Sequence, residues 1–195
     1  MNARDVPPWL THLRRDRRGI PVPTINTWGH ESDVTRWRIA HDSHVGRPGV
    51  YFDDDPDAPP DFTHQNPGRQ REAVLDGRCQ VCWRDVPWSR RRLVIADLSV
   101  SWIDLPAAPG RQVPVVTEPW LCERCATFAV RVCPALIRRT RDEHLTVVEV
   151  TSRRDVEIVI SHGWIEGPLE EESRRVQPAM WVKILLLRHR IERAR

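Results

Sequence analysis

Four of the five cysteines in the chain fall in two Cys-x-x-Cys pairs, Cys79-Gln-Val-Cys82 and Cys122-Glu-Arg-Cys125, with 39 residues between them. A CxxC turn delivers two sulfurs from one short backbone segment. Two such turns can surround one Zn²⁺ tetrahedrally, with Zn–S distances of about 2.3 Å and sulfurs within about 4 Å of one another. Iron accepts the same four-sulfur geometry, whereas a redox motif needs only one pair. The spacing therefore predicts Cys79, Cys82, Cys122 and Cys125 as ligands of a Zn²⁺ cofactor. Cys133 follows Cys122 by 11 residues, about 16 Å along a helix. That is too far to share the ion, and we assign Cys133 to the core. Four thiolates would also close the coordination sphere, whereas a catalytic zinc keeps a position open for water.

The elements that must position these cysteines are legible in outline. Gln70 to Leu75 reads as a brief helix leading to Asp76-Gly77 and the first pair. Arg92 to Trp102 is rich in Val, Ile and Leu and predicts a strand, with Asp104 to Gly110 as a loop and Gln112 to Thr117 as the partner strand. From the second pair onward Leu121, Phe128, Val132 and Leu136 recur at near-helical spacing, and Pro134 should end that helix near Val132. A helix beginning at Cys122 favours thiolate over thiol there, through its unpaired amides and dipole. Knuckle, hairpin and helix in that order predict a treble clef over residues 73–142.

Residues 1–72 carry Pro7-Pro8, Pro21, Pro23, the run Asp53-Asp54-Asp55-Pro56-Asp57, Pro59-Pro60 and Asn66-Pro67-Gly68. Proline lacks an amide donor and restricts its predecessor, so this third reads as a Pro-rich arm, mostly loop, packed on the core. A helical turn is expected at Trp9 to Arg14 and a strand at Thr35 to Ala40, with Trp9, Trp28 and Trp37 as anchors. In residues 143–195, Leu145 to Val150 and Val156 to Ile160 predict a second hairpin. Glu170 to Arg195 predicts a C-terminal helix, with Trp181, Ile184, Leu185, Arg188 and Ile191 along one side and Leu186 and Leu187 widening the stripe. The fold class expected is α+β.

Other chemistry is sparse. No P-loop, GxSxG, HExxH or GxGxxG pattern occurs. HNH nucleases also use the treble-clef scaffold, but no His lies between His64 and His144, and Asp97 and Asp104 lack a neighbouring base. His41-Asp-Ser-His44 places two imidazoles three residues apart, and Asp42 or the 53–57 acidic run would supply carboxylates for a second metal site; a solvated loop is the plainer reading. The basic clusters are Arg90-Arg91-Arg92 and Arg138-Arg139-Thr140-Arg141, with Arg188, Arg190, Arg193 and Arg195 near the terminus. The first two would grip DNA or RNA phosphates if they converge, with Trp83 and Trp88 as stacking surfaces. Of the 30 basic residues only Lys183 is lysine, so the net charge of +3 reflects arginine usage more than selection for a basic surface. No run approaches the roughly 20 apolar residues of a membrane helix. Met1 to Trp9 lacks the apolar stretch of a secretory signal, and paired cysteines that hold metal suit a cytoplasm.

The chain resembles uncharacterised four-Cys zinc-binding, treble-clef-like proteins of actinobacteria and their phages or mobile elements. The resemblance rests on Pro7-Pro8-Trp9-Leu10, Arg15 to Gly19 with Pro21-Val-Pro23, the Cys79/Cys82 knuckle, and Glu118-Pro-Trp-Leu-Cys-Glu-Arg-Cys125 followed by Cys133-Pro134. A small residue commonly follows the first pair in such proteins, whereas Trp83 stands here. The resemblance implies zinc binding but no activity. The reading that results is a non-enzymatic module for nucleic acid or protein, with the C-terminal helix as a protein-binding surface. An HNH-like nuclease and a purely structural partner-binding protein are the alternatives.

Overall fold

A computed structural model describes residues 6–30, 33–55, 57–96, 100–105, 108–133, 136–138, 145–162 and 169–188. Its central element overturns one expectation. Within the segment predicted as a C-terminal helix, only Glu170–Val176 is helical (α3), ending at Gln177 with φ 45°. Ala179–Leu186 is instead a β-strand, here β10. The physical reason is burial. Val182, Ile184, Leu185 and Leu186 are all buried while Trp181 and Lys183 are half-buried, and so short an apolar run is one that periodicity alone cannot assign to a strand or a buried helix. Residues 189–195 of the expected helix lie outside the described ones.

Antiparallel β9 (Val156–His162) runs along one edge of β10, from Ala179↔His162 to Leu186↔Val156. The other edge is shared. β3 (Arg47–Phe52) pairs in parallel at Ala179↔Gly49, and β7 (Ala108–Val116) pairs antiparallel at Ile184↔Val116 and Leu185↔Val115. β2 (Trp37–Asp42) extends the sheet beyond β3, and β6 (Ser101–Leu105) extends it beyond β7, giving six strands. Two smaller antiparallel pairs flank it, β1 (Asn26–Trp28) with β4 (Pro60–Gln65) and β5 (Arg91–Ala96) with β8 (Leu145–Val150).

Both predicted hairpins change partners. Strands do lie at 91–96, 145–150 and 156–162, but β5 pairs with β8 across the chain rather than with the 112–117 strand. The hairpin between the cysteine pairs is β6–β7, and β9 joins β10 instead of folding back on β8. A 3₁₀ turn at Arg153–Asp155, closed by a capping box between Ser152 and Asp155, redirects the chain from one sheet to the other. The first 72 residues are also more ordered than their prolines suggest. They supply β1 to β4 and the start of helix α1 (Pro67–Asp76), so the segments 1–72, 73–142 and 143–195 all contribute strands to one sheet.

Helix α1 fills the split between β3 and β7. Asn66 caps it by accepting from the Arg69 amide at 3.2 Å, and Pro67 supplies a preset first turn. Gln70, fully buried, replaces a missing strand neighbour: its Nε2 donates to the carbonyls of Val182 and Thr117 at 2.7 Å each, and its Oε1 accepts from the Val182 amide at 2.9 Å. Arg71, also fully buried, donates from Nη1 to the Ala179 and Met180 carbonyls at 3.1 and 3.0 Å and from Nε to Asp42 at 2.5 Å. Two polar side chains therefore continue the ladder where no strand does. The main core packs Val74, Leu93, Trp120, Val182 and Ile184 together, while a second cluster gathers around the cysteines.

Candidate metal centre

The first cysteine pair begins where α1 must stop. Gly77 takes φ 76°, and a Cβ there would collide with the Arg91 guanidinium, so glycine is required on both counts. The turn that follows is closed by the Cys79 amide donating to the Arg84 carbonyl at 2.8 Å and the Trp83 amide donating to the Cys79 carbonyl at 2.9 Å. Trp83 makes this turn with φ 60°, the left-handed conformation that glycine would adopt without strain. The Arg78 guanidinium lies 5.6 Å from its ring centroid.

The second pair is set by the main core. Trp120 is fully buried and donates its indole N–H to the Val74 carbonyl at 2.9 Å. Leu121 exchanges backbone bonds with Arg92 on β5 at 2.8 and 2.9 Å. Cys122 is then the N-cap of helix α2 (Glu123–Val132), and Cys125 lies in its first turn. The two turns are tied to each other by the Gln80 amide, which donates to the Trp120 carbonyl at 2.8 Å.

The result brings Cys79, Cys82, Cys122 and Cys125 together with sulfurs spaced 3.5–3.9 Å apart, the separation a tetrahedral ion with about 2.3 Å bonds requires. All four are free thiols, three of them buried and Cys122 half-buried. Crowding dictates their protonation. Hydrogen bonds from the other three thiols push Cys122 well below the ordinary thiol range. The bond to Cys122 pushes Cys79 up, and Cys125 is raised for the same reason. At Cys82 the bond to Cys122 pushes upward, but those to Cys125 and Cys79 outweigh it, and the value falls to about 7. Four sulfurs this close cannot all ionise without a cation among them, and a soft dication suits the thiolate donor set.

The helix predicted at the second pair is present and ends at Val132 as its spacing and Pro134 suggest. Cys133 caps it and is half-buried, not a core residue as expected, because the helix stops before carrying it inward. The N-terminal arm expected to pack on the core does so at the cysteines, with Trp9 against their cluster, although the burial of Leu10 and Leu13 there was not signalled. Leu10 and Leu13 pack into their cluster, and His12 Nε2 lies 3.1 Å from the Cys82 carbonyl.

The residues predicted to grip phosphates differ in exposure and partners. Arg90 is exposed. Arg91 is a correction: it is buried, stacked 3.6 Å from the Trp88 centroid and 4.8 Å from that of Trp120, and donates to the Val86 carbonyl at 3.0 Å. Burial lowers its pKa to about 10. Arg92 pairs with Glu149 at 3.0 Å. Trp88 packs edge-on against Trp120 at 5.5 Å, and Trp83 belongs to the knuckle turn; both are half-buried. Arg138 is exposed, while Arg139 and Arg141 lie outside the described residues, as does Asp97. Arg124 and Arg131 are instead the exposed cations on α2, two turns apart on one face, with Arg124 5.7 Å from the Trp9 centroid. Their heptad spacing was visible in the sequence but fell outside any run of arginines.

The second candidate metal cluster also takes different partners. Asp53, Asp54 and Asp55 pair with Arg38, Arg69 and Arg36 at 2.9, 2.6 and 2.7 Å. His41 is exposed. His44 faces Asp76 at 3.2 Å and stands with Glu72 and Asp76 in one group, whose carboxylates Arg78 also approaches, at 3.2 Å from Glu72 and 3.8 Å from Asp76.

No protein-family model matches the chain, and no match was found among curated proteins or solved structures. Fold and site together define a mixed α+β protein whose four converged cysteines are able to bind a metal ion. Among the described residues no helix is long and apolar enough to cross a membrane.

Proposed function

We propose that Cys79, Cys82, Cys122 and Cys125 hold Zn²⁺ as a structural ion, in a treble-clef-like arrangement of knuckle, β6–β7 hairpin and α2, and that the protein is a non-enzymatic interaction module. The observation that carries this reading is the four-sulfur cluster itself, supplied by two backbone turns that the core and α2 lock together. Four protein ligands complete the coordination sphere, so the ion's work is to stabilise. An HNH-like nuclease would require a histidine on the hairpin or on α2, and neither element contains one.

The partner we propose is nucleic acid, engaged by α2 through Arg124 and Arg131, with Arg90 and Arg138 as further exposed cations. A protein partner seated on a C-terminal helix loses its basis, because β10 occupies that segment in the middle of the sheet. Fluorescence anisotropy of the zinc-loaded chain with labelled single- and double-stranded DNA and RNA across a salt series tests it. Binding that weakens steeply with salt and is lost in the Arg124→Ala/Arg131→Ala double variant supports the assignment. No binding at low salt would overturn it.

A further inference from the structure

A cavity of about 380 Å³ lies where the β1–β4 pair meets the start of β10 and the segment that follows β7. Its volume falls within the roughly 300–1,000 Å³ of small-molecule sites. Trp37, Met180 and Trp181 supply apolar and aromatic wall, Glu118 a carboxylate, and Thr27 and His64 polar groups. Three properties indicate what it accepts. In a chain with 30 basic residues, no Lys or Arg side chain lines it among the described residues. His64 is held through Nδ1 by Asp61 at 2.6 Å, and Asp61 stays ionised because hydrogen bonds from Thr63 and His64 outweigh its burial. The imidazole therefore brings a carboxylate with it. Finally, Thr27 is only 2% exposed, yet its Oγ1 has no hydrogen-bond partner, a cost that a bound donor would relieve.

We propose that this cavity binds a small organic ammonium ion. Glu118 balances the charge, the indole rings of Trp37 and Trp181 attract it through their negative faces, and an ammonium N–H donates to Thr27 Oγ1. An anionic ligand has no cation here to meet it, and a purely apolar one would leave Thr27 unsatisfied. This site is separate from the cysteine cluster and does not depend on its metal.

The test is isothermal titration of the zinc-loaded full chain with phenethylammonium and with 2-phenylethanol, a neutral probe of similar shape. Saturable binding of the ammonium, at least tenfold tighter than the alcohol, is expected. Glu118→Gln should weaken the ammonium about tenfold and leave the alcohol unchanged, and Thr27→Val should weaken it severalfold. Trp181→Leu provides an independent arm should Glu118→Gln fail to fold, and each variant is checked for unchanged zinc content and circular dichroism. Equal affinity for both probes, or no saturable binding of the ammonium up to tens of millimolar, would overturn the proposal.

Discussion

Removing the metal should melt one part of the molecule and spare another. Around the cysteines Leu10, Leu13, Val81, Val86, Val94 and Leu121 are buried, each worth about 1.5–3 kcal/mol, or roughly 9–18 kcal/mol together before the cost of ordering the chain. Zinc bound by four thiolates contributes about 10–16 kcal/mol in small zinc modules, comparable with the roughly 5–15 kcal/mol of net stability of a whole domain. Losing the ion therefore removes a contribution as large as all of this packing, and the cost of ordering the two turns, about 1–2 kcal/mol per residue, then exceeds what remains. The core around Val182, Ile184 and Leu186 has its own cluster and the Gln70 and Arg71 clamps, none of which involves a cysteine. The perturbation is chelation, or Cys82→Ser, and the assay is amide hydrogen exchange. Amides of Cys79, Trp83, Cys125 and Ala126 should lose protection while those along β9 and β10 keep most of theirs. Unchanged protection at the knuckle and α2 and an unchanged melting temperature, after zinc loss verified by elemental analysis, would refute the reasoning.

Metal binding should expel protons: with Cys79 and Cys125 held up, Cys82 near 7 and Cys122 held down, roughly two to three are released at neutral pH, and affinity falls as pH falls. Calorimetry in buffers of different ionisation enthalpy measures that number. Gln70→Leu strips partners from the Val182 amide and carbonyl and the Thr117 carbonyl, and should cost roughly 3–5 kcal/mol in urea unfolding. Arg71→Met should cost about 3–5 kcal/mol by stranding buried Asp42. At Asp42 burial raises the pKa, but the Arg71 hydrogen bond and charge outweigh it and lower the net value. Its contribution is thus complete above the unfolded value of 3.8 and lost as pH falls through the folded one. Asp42→Asn should flatten that acid limb of the stability profile. At Trp83, φ 60° penalises any side chain, so Trp83→Gly should be about 1–2 kcal/mol more stable than Trp83→Ala. Equal melting temperatures for those two would show that the turn carries no such strain.

The amino-acid sequence alone singled out the four cysteines that converge and much of the local structure. The two CxxC pairs state their chemistry in residue type and spacing, and α2 announces its start at Cys122 and its end before Pro134. Strands at 91–96, 145–150 and 156–162 follow from local runs of β-branched residues. Only the tertiary structure decided which of them pair, because registry depends on which buried faces meet and not on neighbouring residues. It also decided that Ala179–Leu186 is a strand, since a short apolar run fits helix and strand alike until its neighbours β3, β7 and β9 take up its backbone hydrogen bonds. The arginines make the same point: Arg90, Arg91 and Arg92 are adjacent in sequence, yet one is exposed, one is stacked inside between two tryptophans and one is paired with Glu149. A side chain's chemistry is written in its type, but its availability is set by the partners that folding brings to it from elsewhere in the chain.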